Sequence, residues 1–294
     1  MLRGYLQLYN NSFVIVGNWP GGVLKENWGD KLNGELMHRL SGLPVCHIDS
    51  IRGWRDRPVY RVIGSSLAQM KKNEIVWGTG FISKTATPKE VAAQICAVRG
   101  RLTHERLKQL GIYCPEVFGD AAIFCPLLYR PSATKTHDYG VIQHFREVKT
   151  IEMPKIKDSA SVKIIDITGG IEDVIKDILS CKVIVSSSLH GLICAHAYGV
   201  PAYWLKASNL PMGDDFKFHD YYSSIGHSSV APAIVDLDGF VVTGSCPSLP
   251  VPGFLDADAL LRACPFLDPE RCGRLISLRK SLAKAGQTGT IFGT

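Results

Sequence analysis

The sequence contains no long apolar run, no signal-peptide layout and no strong excess of one charge. Its most apolar stretch, 121–129, is well short of the roughly 18 residues that a membrane span needs. The first residues, MLRGYLQLYNN, lack the basic, apolar and small-residue segments of a secretion signal. Lys and Arg number 33 against 27 Asp and Glu in 294 residues, and so mild an excess suits an anionic small substrate better than a nucleic acid. These features exclude a membrane channel and predict a cytoplasmic protein with no nucleic-acid partner.

Several motifs that carry well-known chemistry are also missing. The nine cysteines form no CxxC pair and are odd in number, which predicts reduced, buried thiols rather than disulfides. The nine histidines show neither HExxH nor a zinc-binding spacing with cysteine, so no metal site and no resident cofactor are predicted. The Walker GxxxxGK[ST] motif, the GxSxG elbow and a complete GxGxxG after a strand are absent. A metalloenzyme, a P-loop enzyme and an α/β hydrolase are therefore disfavoured.

Short β-rich apolar runs alternate with helical patterns along the chain, which is typical of βαβ units and parallel sheets. In the first half, Leu32, Leu36 and Leu40 lie on one helical face, 92–110 contains helical material, and strands are predicted at 12–16, 61–63, 74–77 and 121–125. In the second half, helices are predicted at 171–179 and 189–198, and strands at 141–144, 162–167, 182–186 and 201–205. The run from 162 to 205 is the clearest βαβαβ pattern.

This alternation predicts an α/β fold with two Rossmann-like, doubly wound lobes in a GT-B-like arrangement and a cleft between them. The segment 126–138 is rich in Pro, Ser and Thr and is the candidate linker. It gives an N-terminal lobe over 1–130, a C-terminal lobe over 138–250 and a helical segment over 251–294 packing across both. Ligands of such sheets bind beyond the carboxyl ends of the strands, so binding residues are expected there.

A basic helix is predicted near the C-terminus. The segment 271–284 holds five basic residues and no acidic one, with Leu275, Leu278 and Leu282 on one face. One interpretation is peripheral contact with the inner face of an anionic membrane that carries a lipid-linked acceptor. The other is a packing helix that crosses back to the first lobe. Charge reversal of Arg279 and Lys280 distinguishes the two.

The strongest local pattern is Val185-Ser186-Ser187-Ser188-Leu189-His190-Gly191, where a buried strand ends and a helix begins. Free backbone N–H groups, the positive end of the helix dipole and serine hydroxyls all favour an anion there. His190 falls in the first helical turn, where a bound phosphate or carboxylate would favour its protonated form and make it a candidate general acid. A serine-capped helix with a half-buried histidine is the structural alternative.

Four weaker patterns also lie at strand ends or helix starts. Each has a purely structural alternative, namely an N-cap at Asp30, a plain turn at the glycines, a solvated basic turn, or an amphipathic turn. Their functional interpretations, in the chain order of the four motifs below, are sugar binding by the asparagines, close ligand approach at the glycines, anion binding by the arginines and sugar stacking on the aromatic rings. They are Asn27-Trp28-Gly29-Asp30 with Asn33, Trp77-Gly78-Thr79-Gly80, Arg99-Gly100-Arg101, and Lys217-Phe218-His219-Asp220-Tyr221-Tyr222.

Taken in order, these motifs resemble the polysaccharide pyruvyl transferase family from about residue 25 to 225. Gly111-Ile112, Gly119-Asp120-Ala121-Ala122 and Gly199-Val200-Pro201 extend the match. Many members have Ser-Arg-Leu-His where this chain has Ser187-Ser188-Leu189-His190, and a subset resembling succinoglycan ketal enzymes has the Ser-Ser form. The family's Gly-Asp-Pro-Ala is Gly-Asp-Ala-Ala here, a change expected to affect only a turn.

The resemblance implies a two-lobed enzyme that uses phosphoenolpyruvate as donor and forms a pyruvate ketal on a sugar of a surface polysaccharide or its lipid-linked precursor. It implies His190 as the acid, with Asp30 or His144 as the base. The residues expected to bind the donor are Arg99, Arg101, Ser187, Ser188, Gly78, Thr79 and Gly80. Those expected to bind the acceptor are Asn27, Asn33, Lys217 and Tyr221.

Two other functions fit the same motifs. A nucleotide-sugar glycosyltransferase of the GT-B type would also place a diphosphate at the 186–190 helix start. A non-catalytic glycan- or anion-binding relative would keep the scaffold without the reaction. Binding of phosphoenolpyruvate rather than a nucleotide sugar distinguishes the pyruvyl transferase from the glycosyltransferase. Release of phosphate from phosphoenolpyruvate distinguishes it from the non-catalytic relative.

Overall fold

The computed structural model describes residues 15–19, 28–50, 57–148, 161–236, 241–244 and 246–289. These residues form an α/β fold with two parallel sheets. The first sheet has the order β2-β1-β3-β4-β5, and all its strand pairs are parallel. Its strands are β1 (Ile15–Gly17), β2 (Val45–His47), β3 (Val59–Arg61), β4 (Glu74–Trp77) and β5 (Gln94–Ala97). Its helices are α1 (Trp28–Ser41), α2 (Arg101–Gln109) and α3 (Cys125–Leu128).

The second sheet has the order β7-β6-β8-β9 and is parallel throughout. Its strands are β6 (His137–Ile142), β7 (Val162–Ile165), β8 (Cys181–Ser186) and β9 (Ala202–Trp204). The helices that follow are α4 (Ile171–Leu179), α5 (Leu189–Ala197) and α6 (Phe216–Ser224). The chain then forms an antiparallel hairpin of β10 (Ile234–Asp236) and β11 (Val241–Thr243), followed by α7 (Ala257–Arg262) and α8 (Pro269–Lys284). The βαβαβ pattern predicted over 162–205 is therefore confirmed.

Helix α1 forms where the leucine spacing predicts it. Leu32, Leu36 and Leu40 are fully buried, as the period of an α-helix requires for residues four apart. Gly42 follows the helix with φ of +74° and donates its N–H to the carbonyl of His38 at 2.7 Å, which closes the helix with a left-handed residue. The predicted strand at 12–16 overlaps β1, although residues 12–14 lie outside the described ones.

The predicted strand at 121–125 is wrong. These residues form a 3₁₀ turn, Ala121–Phe124, that runs into α3. Asp120 starts the turn by accepting a hydrogen bond from the N–H of Ala122 at 2.9 Å. All four turn residues are fully buried, and a short apolar run buried on every side has no period that separates a strand from a helix. The helical material predicted at 92–110 divides into β5 and α2, and part of the candidate linker belongs to α3.

Helix α8 packs on the rest of the chain through its basic residues. The Arg279 side chain is 7% exposed, and its Nε lies 2.7 Å from Oδ1 of Asp258 on α7. Arg271 donates to the carbonyl oxygens of Arg39 and Leu40 at the end of α1. Leu275 and Leu282 are buried. These contacts support the packing interpretation, and membrane contact stays a prediction, as do the GT-B-like lobes and their boundaries. None of the helices in the described residues is both long and apolar enough to span a membrane.

Candidate active site

The second sheet reverses its strand order beside β6. Strand β7 lies on one side of β6 and β8 on the other, and ligands of open parallel sheets bind at such a switch point, beyond the carboxyl ends of the strands. The chain leaves β6 towards His144 and leaves β8 at Ser187. The N–H of His144 donates to Oγ of Ser187 at 2.8 Å, and the N–H of Ser187 donates to the carbonyl of Ile142 at 3.0 Å. Two of the predicted site residues therefore meet here.

The three serines shape the turn from β8 into α5. Oγ of Ser186 accepts the N–H of Ser188 at 3.0 Å and donates to the carbonyl of Ser188 at 2.9 Å. Ser188 occupies the N-cap in an extended conformation. Gly191 is required in the first turn because a Cβ there would lie 2.6 Å from Oγ of Ser186. The turn thereby fixes the direction in which His190 leaves the helix.

His190 faces a buried carboxylic acid. Its Nε2 lies 3.8 Å from Oδ2 of Asp120, and neither atom has a hydrogen-bond partner within the described part of the chain. The imidazole packs on the first turn of α1, where a Cβ at Gly29 would lie 2.1 Å from its Nδ1. Asp120 is fully buried and His190 is 9% exposed. Buried polar atoms without partners cost free energy, so the pair marks a site that the protein alone does not satisfy.

Burial moves the two pKa values in opposite directions. It lowers the pKa of His190 to about 3, and the positive charges of Arg99 and Lys217 add to the effect. It raises the pKa of Asp120 to about 7, although the N–H of Ala122 and the charge of Arg99 oppose the change. At neutral pH the imidazole is therefore uncharged and the carboxyl is near its midpoint. A single proton can be held between the two groups and passed to a ligand.

Arg99 is the buried cation next to this pair, and its guanidinium is already engaged. Its Nε donates to Oδ2 of Asp220 at 2.9 Å, its Nη1 to Oγ of Ser65 at 2.7 Å and its Nη2 to the carbonyl of Phe81 at 2.6 Å. Asp220 also accepts the N–H and the hydroxyl of Thr103, both at 2.7 Å. The network joins β5, α2 and α6. Arg99 thus holds the two halves of the site together, and direct donor binding by it stays a prediction.

Lys217 supplies a second buried cation, and this one is unpaired. Its side chain is on α6 and 8% exposed. Its ammonium lies 5.3 Å from the centroid of the Phe218 ring, and within the described residues it makes no hydrogen bond or ion pair. Burial, together with the charge of Arg99, lowers the pKa of Lys217 to about 8. It remains mostly protonated at neutral pH, so it is suited to an anionic ligand.

His144 is a third group of the cluster. Burial lowers its pKa to about 3, with Lys217, Arg146 and His190 contributing positive charge. Its Nδ1 accepts the N–H of Arg146 at 3.3 Å. The imidazole is therefore neutral at physiological pH. His144, His190 and Lys217 lie within electrostatic range of one another, and their catalytic and binding roles stay predictions.

The glycines after β4 pack against the turn that carries Asp120. Gly78 has φ of +92°, and a Cβ there would lie 3.2 Å from backbone atoms of Gly119 and Ala121. A Cβ at Gly80 would lie 2.7 Å from Cζ of Arg99. Thr79 is buried and donates its hydroxyl to the carbonyl of Gly64 at 2.8 Å. This segment shapes the wall of the site, and its contact with donor stays a prediction.

The remaining predicted residues make the following contacts. Asp30 is half-buried in the first turn of α1. Buried Asn33 accepts the N–H of Ile63 at 2.8 Å and donates to the carbonyl of Gly29. The exposed guanidinium of Arg101 stacks between the rings of Phe118 and Phe254, at 4.6 and 5.1 Å from their centroids. The hydroxyl of buried Tyr221 lies 2.9 Å from Nδ1 of His196. Asn27 lies outside the described residues.

Sequence reasoning misses the role of two acidic residues of the site. Asp120 and Asp220 stand in motifs that the sequence shows, Gly119-Asp120-Ala121-Ala122 and Lys217-Phe218-His219-Asp220, but the sequence alone indicates only a turn and a polar loop. Their partners, His190 and Arg99, are 70 and 121 positions away. An acidic residue directly before a fully apolar run was the available indication for Asp120.

Comparisons with known proteins place the chain among its relatives. The family model described as polysaccharide pyruvyl transferase matches residues 49–209. Uncharacterized protein L143 of Acanthamoeba polyphaga mimivirus is 31% identical over 207 residues, covering 68% of this chain and 71% of that protein. Succinoglycan biosynthesis protein ExoV of Rhizobium meliloti (strain 1021) is 28% identical over 172 residues, covering 56% of this chain and 52% of that protein, so the match spans about half of it. No solved structure matches.

The family model covers more than half of the chain and includes the Asp120, His190 and Arg99 positions. The chain therefore belongs to the polysaccharide pyruvyl transferase family, and the resemblance drawn from its sequence motifs is confirmed.

Proposed function

We propose that the protein transfers a pyruvyl group from phosphoenolpyruvate to a sugar of a polysaccharide or its precursor, forms a pyruvate ketal and releases phosphate. The observation that carries this proposal is the unsatisfied His190–Asp120 pair beside the unpaired ammonium of Lys217. A proton-holding pair next to a buried cation suits a donor that is anionic and must be protonated on carbon. The family to which the chain belongs supports pyruvyl transfer to polysaccharide.

The proposed reaction begins with protonation of the methylene carbon of phosphoenolpyruvate. The His190–Asp120 pair supplies this proton, and the carbon that bears the phosphate becomes electrophilic. A sugar hydroxyl adds to that carbon while a base takes its proton. Phosphate then leaves with the electrons of its C–O bond, and a second hydroxyl of the sugar adds to the resulting cation and gives its proton to the released phosphate, which closes the cyclic ketal. Positioned proton transfers of this kind contribute on the order of 10²–10⁴-fold each.

Each charge of the donor has a group to meet it. The Lys217 ammonium and the N–H groups at the start of α5 would bind the phosphate or the carboxylate. Arg99, Arg101 and the Gly78–Gly80 segment remain proposed donor contacts, and Asp30 and His144 remain candidate bases. The donor's negative charge is thus balanced by side chains and backbone, so we propose a reaction that needs no metal and survives chelators.

The decisive experiment offers the protein phosphoenolpyruvate together with a panel of free and lipid-linked oligosaccharides. We expect release of phosphate and a product heavier than its acceptor by one pyruvate less one water, with EDTA making no difference. A thermal shift with phosphoenolpyruvate, absent with UDP- or GDP-sugars, is expected as well. A shift with nucleotide sugars alone would favour the glycosyltransferase, and binding without phosphate release across the panel would favour a non-catalytic relative.

A further inference from the structure

Helix α1 has a glycine in its first turn, at a position where the backbone does not need one. Gly29 is not among the glycines with positive φ, so an alanine could adopt the same backbone conformation. Glycine also lowers the stability of a helix relative to alanine, because it loses more backbone freedom on folding. The reason for a glycine at this position is therefore the space that its missing side chain leaves.

An imidazole ring fills that space. A Cβ at Gly29 would lie 2.1 Å from Nδ1 of His190, 2.4 Å from its Cε1 and 2.9 Å from its Cγ. Given the first two distances, a Cβ in the plane of the ring would lie farther from Cγ than this, so it would sit over the ring face. The imidazole of His190 therefore rests with one face on the backbone of α1, and the contact is too close for any side chain at position 29.

This contact, which we call the seat of His190, orients the ring towards its acidic partner. His190 leaves the first turn of α5, rests on the first turn of α1 and points Nε2 at Oδ2 of Asp120 across 3.8 Å. Groups that transfer protons have to be held within about 0.5 Å of their working positions. A methyl group at position 29 would lift the ring off α1 and out of line with the carboxyl of Asp120.

The seat also bears on the motif Asn27-Trp28-Gly29-Asp30. The sequence interpretation of this motif is sugar binding, and an N-cap at Asp30 is its structural alternative. The space over Gly29 holds the His190 ring, which leaves no room for a ligand to approach the backbone there. At this position the motif therefore contacts the proton-carrying histidine rather than a sugar.

We infer that Gly29 is a positioning residue for the proton transfer, because the absence of its side chain creates the seat of His190. This inference rests on the proposed function, which makes His190 part of the proton-holding pair. In this assignment Gly29 touches neither donor nor acceptor and acts only through the placement of the ring. The chain thereby has a less stable α1 than alanine would give, together with an imidazole fixed in front of Asp120.

A double-mutant cycle tests the seat through stability alone. Gly29→Ala is made in the native protein and in His190→Ala, and thermal denaturation gives the four Tm values. In the native protein we expect the added methyl to lower Tm by about 2–10 °C, because it overpacks a filled space. In His190→Ala, which leaves the space empty, the same methyl should raise Tm by about 1–4 °C, because alanine is the better helix former. The change of sign identifies the ring as the group that excludes a side chain.

Gly34→Ala is the matched control in the same helix. A Cβ at Gly34 would lie 3.4 Å from Cη2 of Trp19, which is an ordinary van der Waals contact, and Gly34 has no positive φ. We expect Gly34→Ala to raise Tm in both backgrounds and to leave turnover unchanged. It thereby separates the general effect of alanine in α1 from the effect of crowding His190.

Two further measurements distinguish positioning from packing alone. Burial, with the charges of Arg99 and Lys217, lowers the pKa of His190 to about 3, so ¹⁵N spectra of the native and Gly34→Ala proteins should show one unprotonated ring nitrogen down to pH 5. In Gly29→Ala the ring is lifted from its seat, and we expect both nitrogens to be protonated at pH 5. Turnover of Gly29→Ala should fall about 10–100-fold, with phosphoenolpyruvate affinity within about twofold of native.

A Tm change of the same sign and size in both backgrounds would overturn the seat. Native turnover in Gly29→Ala, together with the native nitrogen pattern, would overturn the positioning role. Failure of Gly29→Ala to fold is the expected destabilisation in extreme form, and the double variant then decides, since it should be more stable than His190→Ala. The thermal and ¹⁵N measurements need no substrate. If they give the expected results while the native protein releases no phosphate from phosphoenolpyruvate, the proposed function is refuted and the seat of His190 stands.

Discussion

Nε2 of His190 lies 3.8 Å from Oδ2 of Asp120, and the described residues offer neither atom a hydrogen bond. The two residues come from different halves of the chain, one from the turn before α3 and the other from the first turn of α5. At this distance, a small movement or a bound ligand can complete the contact. Because burial shifts both pKa values towards the uncharged forms, the pair can hold a single proton rather than form a permanent ion pair.

His190→Gln tests whether the imidazole carries the proton. Glutamine keeps the size and the hydrogen-bonding capacity but cannot deliver a proton near neutral pH. We expect turnover to fall by at least about 100-fold, the lower end for lost general acid catalysis, with phosphoenolpyruvate affinity and Tm nearly unchanged. Steady-state kinetics and thermal denaturation measure these quantities. Unfolding of the variant would assign His190 to the core, and normal turnover would move the acid to another residue.

Asp120→Asn tests the pKa of the buried carboxyl through stability. The folded state favours the protonated acid, so the native protein loses stability as pH rises from the ordinary value of 3.8 to about 7. At about 1.4 kcal/mol per pKa unit, the penalty is on the order of 4 kcal/mol. Asparagine has no such penalty. We therefore expect the Tm of the variant, relative to native protein, to rise between pH 4 and pH 7.5, while its turnover falls.

The difference between variant and native protein is the useful quantity, because groups distant from Asp120 titrate alike in both proteins and their effects cancel. A difference that stays constant over this pH range would mean that Asp120 is not titrating there. A difference that falls with pH would mean that Asp120 is a stabilised carboxylate with a lowered pKa.

Asp220→Asn tests the structural role of the Arg99 network. Both partners are fully buried, and removing the charge of one leaves the other uncompensated, which costs about 3–5 kcal/mol in buried pairs. Chemical denaturation should show that loss. Arg101→Ala is the comparison, since its guanidinium is exposed between two rings, and we expect it to cost less than about 1 kcal/mol. Equal losses in the two variants would contradict a special role for the buried pair.

The parts of the fold that the sequence predicts are those with a local period or boundary. Strand β4 is confirmed at 74–77, and α1 is confirmed through the spacing of its leucines. The 3₁₀ turn at 121–124 is missed because complete burial removes the period. Strand β6 ends at Ile142, two residues before the predicted end, because the chain turns at His144 to bring Glu147 under Ser187.

The candidate site likewise has residues that a local sequence pattern indicates and residues that no local pattern indicates. His190, Ser187 and Ser188 stand at a strand-to-helix junction that is visible in the sequence, and the structure brings Ser187 to His144, a contact that no motif of the sequence predicts. The pairing of Arg99 with Asp220 spans 121 positions and leaves no local pattern. The sequence groups Arg99 with Arg101, but a side chain at the end of a strand and one in the first turn of a helix leave the backbone in different directions. Only tertiary structure separates a buried, paired arginine from an exposed one.

Lys217 provides the most direct test of where the donor binds. Its ammonium is buried and makes no hydrogen bond or ion pair among the described residues, and burial lowers its pKa to about 8 although the charges of Asp215 and Glu147 oppose the change. Lys217→Met removes the charge with little change in shape. We expect phosphoenolpyruvate affinity to fall at least about 10-fold, as for the loss of a charge-assisted hydrogen bond.

In the native protein, phosphoenolpyruvate affinity should weaken as pH rises through 8, because the neutral amine of Lys217 no longer attracts the anion. Lys217→Arg keeps its charge at these pH values and should bind with little pH dependence between 7 and 9. Calorimetric titration at several pH values measures all three proteins. Equal affinities in native and Lys217→Met proteins would place the donor elsewhere, and a native affinity independent of pH would mean that the ammonium does not contact it.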